Sequence, residues 1–361
     1  MSVDVKEATT IETPPKKLSS LRNELKQRGW YQKKPGRILL ELAYHLALSL
    51  GGIYFFVASD SLLIRTCGIL ISTVGSMSVG TNTHTSSHHG TSTKKWVNDA
   101  LTYFGYPIYN GLSATYWRYM HVIRHHPSPN VIGLDMDHDL TPWFCLLRPQ
   151  IERTSGWRRF YYDHLQFFAF PFALAFNGFN FQRAGLSYLY TSLRDPKTQP
   201  KTPYIIDLAS MVAHYIIWII VPSAFFPVTS VLLFYALRTM LLGYAMFAVL
   251  APGHFPEEAI VVEKVELGEE NFVLRQTVTS INFRTGFIGR LVCSGLEYQI
   301  EHHLFPSLSH VHYPKVSQAV KDFCQENGYP YRTLGWGEAI WKSWKVFYAP
   351  KDVYPSLRQL S

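Results

Sequence analysis

The chain is poor in cysteine and in charge, and it carries no cofactor fingerprint. Its four cysteines, Cys67, Cys145, Cys293 and Cys324, are spread through 361 residues with no CxxC pair. That spacing excludes a disulfide framework and the ligand runs of iron–sulfur or haem sites. No dinucleotide or flavin glycine motif occurs, which excludes a nicotinamide or flavin site of that kind. Residues 1–36 lack the short apolar run and small-residue cleavage site of a secretory leader. Polar, lysine-rich and interrupted by Pro14 and Pro15, they read as a disordered or interfacial cytosolic arm. Charged residues reach 17%, well below the roughly 25% of an average soluble domain.

Apolar and aromatic residues are plentiful. Phe, Trp and Tyr supply 15% of the chain, while a mean hydropathy of -0.01 requires a large aqueous portion as well. Residues 38–58 and 62–80 are each about 20 residues long, enough at 1.5 Å per residue to cross a hydrocarbon core of roughly 30 Å. They read as a helical hairpin turning at residues 59–61. Residues 205–226 and 228–250 repeat the pattern, with Pro227 at the bend. The net charge of +8 is concentrated early, in Lys16, Lys17, Arg22, Lys26, Arg28, Lys33, Lys34 and Arg37. This is the positive-inside pattern of a cytoplasmic N-terminus, so the charge is read as topology and not as a nucleic-acid surface.

Residues 101–117 and 160–181 are aromatic but broken by Pro107, Gly111, Asp163, His164 and Pro171, and are expected as interfacial or partly embedded helices. The expected architecture is all-α and multi-pass. A cytosolic arm (1–36) precedes a membrane domain (37–320) with four transmembrane helices in two hairpins. A cytosolic helical layer caps that domain, and a cytosolic tail (321–361) follows it. Both termini and the active site are expected on the cytoplasmic face.

Three histidine clusters carry the chemistry: His84, His88 and His89 in HTSSHHG, His121, His125 and His126 in HVIRHHPSPN, and His302 and His303 in QIEHHLFP behind Gln299. Spacings of three or four residues place side chains on one helix face. The first cluster and His254 each lie four residues beyond a predicted span, on the same membrane side. If the other two clusters fold back over these helix ends, nine histidines converge. A single zinc is satisfied by four ligands, so nine suit two metal ions. Imidazole serves iron, copper, zinc and nickel alike, so ligand type alone does not choose the metal. Soluble di-iron bundles use carboxylates that these boxes lack, and an all-imidazole set leaves its ions electron-poor and strongly oxidising.

HTSSHH, HVIRHH and QIEHHLFP, in this order and flanked by hairpins, resemble the three histidine boxes of the integral-membrane fatty acid desaturases over roughly residues 38–315. Gln299 ahead of IEHHLFP resembles the front-end type and related sphingolipid desaturases. The resemblance implies iron ligands at His84, His88, His121, His125, His126, His302 and His303, with Gln299 at the variant position and His254 as the extra histidine after the fourth span. His89 is an alternative to His88. It further implies two iron ions, O2 as co-substrate, a fatty acyl substrate carried on coenzyme A, acyl carrier protein or a lipid, and a cis double bond as product. Two electrons would come from a ferredoxin or from cytochrome b5 with its reductase. The chain departs from the family pattern at Thr85, where Asp is usual, and in the three residues Val122, Ile123 and Arg124 where two are usual. It also lacks the His-Pro-Gly-Gly signature of a fused haem domain.

Other polar residues read as supporting parts. Asp135, Asp137, Glu297 and Glu301 suit the outer hydrogen bonds that orient metal-bound histidines, and Asn282 is a candidate for orienting a ligand water. His45 and His214, inside predicted spans, read as structural; His138, His164, His310 and His312 read as supporting or surface groups. A di-iron lipid or sphingolipid hydroxylase is the nearest rival, since the same oxidant can place oxygen on carbon. A membrane metal transporter would need ionisable residues threaded along the spans, whereas these histidines gather at one membrane surface.

Overall fold

A computed structural model describes residues 17–137 and 139–357. In chain order its main helices are α1 (Leu18–Gln27), α2 (Pro35–Ala58), α3 (Leu62–Ser87), α4 (Gln166–Arg194), α5 (Thr202–Ser223), α6 (Val228–Gly253), α7 (Gln299–Leu304), α8 (Tyr313–Glu326) and α9 (Trp336–Lys345). Helices α2, α3, α5 and α6 are long and apolar enough to cross a membrane. Their outward faces expose Leu40, Tyr54, Leu63, Ile220 and Leu233, an apolar belt suited to lipid. Helix α3 runs beyond the predicted span at residue 80 and carries His84, the first residue of the first histidine cluster, in its own last turn.

Small residues bring α2 and α3 together. A Cβ on Gly52 would lie 2.4 Å from the Ser72 amide nitrogen, and one on Gly75 2.5 Å from that of Ser49. Only glycine permits this backbone approach, the usual device where no hydrophobic force drives helices together in lipid. Ser49 Oγ donates to the Ser72 carbonyl at 3.0 Å across the contact.

The 101–117 stretch is not one helix. It passes from Lys95–Tyr103 through a wide π-type turn, Phe104–Asn110, to Gly111 at φ 70 and the short helix Ala114–Trp117. Asp207 of α5, fully buried, accepts from the amides of Ala114 (3.1 Å) and Thr115 (2.7 Å) and from the Ser113 hydroxyl (2.7 Å). A carboxylate thus satisfies the orphan donors of the helix that leads into the second histidine cluster. The 160–181 stretch feeds α4, which exposes Phe168, Phe172 and Phe176 at four-residue spacing along one side.

Parts of the arm and of the tail pack onto the body of the fold. Within the expected arm, residues 1–16 lie outside the described residues, whereas α1 buries Leu18, Leu21 and Leu25 against Ile300 and Leu304 of α7 and Val316, Val320 and Phe323 of α8. The i, i+3, i+7 spacing of these leucines gives α1 an apolar stripe. The expected tail is likewise part of the body. Phe347 stacks on Phe170 at 3.6 Å, Val353–Tyr354 pairs in parallel with Val261–Val262, and Leu357 packs with Val131 and Ile260.

Candidate metal centre

The last turn of α3 presents His84, and His88 follows at its C-cap. The second cluster lies on a π-type turn, Arg118–His125, in which the His126 amide donates to the His121 carbonyl at 3.0 Å. With the wider turn, residues five apart share a face, and the Nε2 atoms of His121 and His126 come within 3.1 Å. His125 is thereby turned elsewhere. On α7, His302 and His303 are neighbours and diverge by about 100° around the helix axis.

Eight of the nine expected histidines converge, in two buried groups. His84, His88, His121, His126 and His302 form one, and His125, His254 and His303 the other; within each group the ligand-type atoms lie within 4.8 Å of one another. Nε2 pairs stand 3.1 Å apart between His84 and His302 and between His254 and His303. Two donors about 2.1 Å from one ion and at roughly right angles to each other are separated by about 3 Å. His126 stacks on His303 at 4.4 Å between ring centroids, so the groups adjoin.

The hydrogen bonds on the far side of the rings decide which nitrogen bears a proton. His254 Nδ1 faces the Thr279 carbonyl at 3.1 Å, which can only accept. Gln276 spends its amide N–H on the His126 carbonyl (3.0 Å), so its Oε1 accepts from His303 Nδ1 at 3.0 Å. Both rings therefore carry the proton on Nδ1, and two bare Nε2 lone pairs face each other. His302 Nδ1 lies 3.2 Å from the Tyr313 hydroxyl, which donates to the Phe305 carbonyl, and His125 Nδ1 donates to Asp135 Oδ2 at 2.9 Å. Facing lone pairs in a dry interior repel, and a cation between them removes the repulsion. The donor set fits metal ions.

Burial holds His88, His121, His126, His302 and His303 well below the ordinary histidine pKa, with neighbouring imidazoles adding to the effect. These groups are neutral at pH 7, the state a ligand needs. At His125 burial acts in the same direction, but the Asp135 carboxylate overrides it and the pKa is raised.

The structure does not bring His89 into either group: with φ 56 it leaves the helix path at the end of α3 and is exposed. Its neighbour His88 is the inward one. Asp135 also accepts from the Asn130 amide at 2.8 Å, as an orienting carboxylate should. Asp137 lies 3.7 Å from His125 and is grouped with His121 and His125 at the rim. Gln299 is buried against Gly253, beside His254. Asn282 does not face the histidines: it accepts from the Ile300 amide (2.9 Å) and donates to Glu301 (2.8 Å), holding the start of α7. Glu301 also accepts from Tyr331 (2.6 Å), and Glu297, buried, is pushed up to about 7 by desolvation.

His214 is satisfied by the Ile108 carbonyl and the Tyr235 hydroxyl, and His312 by the Gln32 carbonyl. His45 is buried within α2, His164 is exposed, and His138 lies outside the described residues. His310 bridges Thr85 (2.6 Å) and Glu41 (2.8 Å), so Thr85, standing where Asp is usual, reaches a carboxylate through one imidazole. Sequence reasoning missed Gln276, Thr279 and Tyr313, which carry no local motif. It also missed the π-type turn, whose only trace is the third residue between His121 and His125.

Four membrane-length helices and two adjoining buried groups of imidazoles are compatible with a metal site in a membrane protein. The comparison with known families is specific: the model described as "Fatty acid desaturase" matches residues 59–335, and the chain belongs to that family. It is 26% identical over 271 residues to the Delta(5) fatty acid desaturase fat-4 of Caenorhabditis elegans, covering 72% of this chain and 57% of that protein. It is 27% identical over 316 residues to the Delta(8)-fatty-acid desaturase of Euglena gracilis, covering 86% and 73%. With the sn-1 linoleoyl-lipid 6-desaturase of Synechocystis it shares 26% over 284 residues, covering 74% and 75%. The chain thus spans between about half and three quarters of the length of the relatives it matches.

Proposed function

We propose that this protein is a fatty acyl desaturase of the front-end type, forming a cis double bond with O2 and two external electrons at a histidine-held pair of iron ions. The observation that carries the reading is the facing pair of deprotonated Nε2 atoms of His254 and His303, 3.1 Å apart, within a set of eight converging histidines. An alkyl chain offers no acidic proton, so acid–base side chains cannot start the reaction. When bound, the two irons supply the O2-dependent oxidising power that an unactivated C–H bond requires.

The chain's own residues do the rest. His84, His88, His121, His126 and His302 would hold one ion, and His125, His254 and His303 the other. Thr279, Gln276, Asp135 and Tyr313 fix the ring orientation and the proton on the far nitrogen, as outer-shell partners of metal-bound histidines do. Trp117, Leu112 and Met246 line a small apolar cavity together with His84, which supports an apolar substrate beside the site. The names of the relatives support an acyl chain as substrate and a lipid-linked one as a candidate form. The basic N-terminal region supports a cytosolic site and termini, with the four long helices crossing the membrane. The site would then meet a cytochrome b5 or ferredoxin donor at that face.

The test is gas chromatography with mass spectrometry of fatty acids from a desaturase-poor host expressing the full chain, against a His302→Ala, His303→Ala control. A new unsaturated acid absent from the control is expected, with the new bond between an existing one and the carboxyl end. A hydroxy acid would replace this reading with the oxygenase, and a folded protein that binds no metal would end it.

A further inference from the structure

The C-terminal segment, expected from the sequence as a cytosolic tail, reaches the metal centre through one side chain. Lys351 is 6% exposed, and a lysine so buried is normally paired. Among the described residues it forms no ion pair. Its Nζ donates instead to the main-chain carbonyls of His254 (3.0 Å) and Ala259. Lys351 lies outside the residues matched by the family model, which end at 335.

The lysine has a fixed origin. Its own amide donates to the Leu146 carbonyl and its carbonyl accepts from the Arg148 amide, both at 2.8 Å. Asn130 holds the same turn independently. Its Nδ2 donates to the carbonyls of His254 and Ile260, both at 3.0 Å, and its amide donates to Asp135, the carboxylate that accepts from His125. The His254 carbonyl thus has two donors, one from the C-terminal segment and one tied to His125. At the ring, Nδ1 donates to the Thr279 carbonyl. With main chain and ring both held, His254 Nε2 is aimed at that of His303, 3.1 Å away.

We propose that Lys351 is a positioning residue for the metal ion of the His125, His254 and His303 group, holding the His254 main chain from a segment distant in sequence. This rests on the metal-centre reading above and deepens it. His254 follows the last residue of α6, where carbonyls lack helical partners, so a lysine there also serves as a helix cap. A cap alone would stabilise the fold whether or not metal is bound. A positioning role acts on one ion and leaves the other. The group of His84, His88, His121, His126 and His302 takes no residue from the His254 turn, so the ion it holds is the internal reference.

The test is metal content of the purified full chain across a graded chelator series, with unfolding of the metal-free form followed in parallel. Lys351→Met keeps most of the buried stem and removes the donor. One ion should leave at about tenfold weaker chelation than in wild type, the lower end of the effect of losing an outer partner of a metal-bound histidine. The other should leave at the wild-type midpoint. Loaded with cobalt(II), the one-ion form should share its absorption spectrum with His303→Ala and not with His88→Ala. Leu357→Ala, which empties a buried contact of the same segment with Val131 and Ile260, should destabilise the metal-free protein without separating the two ions. Both ions unshifted in Lys351→Met, both shifted together, or the same selective loss in Leu357→Ala would overturn the proposal. Should Lys351→Met not fold, Lys351→Gln, which keeps only a shorter donor, takes its place and is judged by the same outcomes. A wild-type protein without metal would end the metal-centre reading itself, whereas two ions in wild type that leave the variant unselectively end only the role of Lys351.

Discussion

Gln276 offers the sharpest test of the metal centre, because it is fully buried and touches the site only through hydrogen bonds. It accepts from His303 Nδ1 and donates to the His126 carbonyl, both at 3.0 Å. Gln276→Met keeps the volume and removes both contacts, leaving two buried polar groups without partners. An unmet buried group costs about 1–3 kcal/mol. The same loss frees His303 to carry its proton on Nε2, the atom that faces His254. Loss of such an outer partner typically weakens metal affinity about 10–100-fold. The assay is metal content of the purified protein across a graded chelator series, with unfolding followed in parallel on the metal-free form. The midpoint of metal loss should shift toward weaker chelation by one to two decades, and the ions held by His125, His254 and His303 should leave first. A folded Gln276→Met variant that keeps both ions with an unshifted midpoint would refute the tautomer argument.

His89→Ala should retain full metal content and product formation, whereas His88→Ala should lose at least one ion, which metal analysis of the pair will separate. Acidification should empty the two groups in order. His125, whose pKa Asp135 raises, takes a proton at higher pH than the burial-lowered histidines of the five-membered group, and a protonated ring cannot bind a metal. The His125 group should therefore release its ion first as pH falls through the ordinary histidine range, and Asp135→Asn should weaken that ion throughout. Leu21→Ala empties a fully buried position between α1 and α8; large-to-small core changes of this kind cost about 2–5 kcal/mol, readable as earlier unfolding and easier proteolysis of α1.

Much of this organisation was legible in the sequence, because spans and histidine clusters are local patterns. The four long helices follow from runs of apolar residues, and the converging clusters follow from their positions at the span ends. What could not be read is non-local. The leucines at 18, 21 and 25 form a stripe, but nothing near them says that α7 and α8 lie opposite. Residues 321–357 look like a polar tail because their apolar groups, Val346, Phe347 and Leu357 among them, are interspersed with charged and polar residues and meet their partners only in the fold. Asn282 seemed available to the site because it is polar and lies near the third cluster. Its hydrogen bonds are instead consumed by the Ile300 amide and Glu301.

The division of eight histidines between two groups depends on backbone geometry more than on composition. In an α-helix, His121 and His125 would share a face and His126 would point about 100° away. In the π-type turn the shared face belongs to His121 and His126, and His125 is released toward His254 and His303. The third residue between His121 and His125 is what makes this partition feasible, since it places a five-residue interval where the wider turn can use it. On α7 the adjacent pair His302 and His303 reaches the same outcome by ordinary helical geometry. Two neighbouring side chains diverge, and one goes to each group. The second and third boxes thus each give at least one histidine to each group, while the first supplies one group and His254 the other. A displacement of either shared segment would disturb both groups at once, which ties the spacing between them to the rigidity of α7 and of the turn before it.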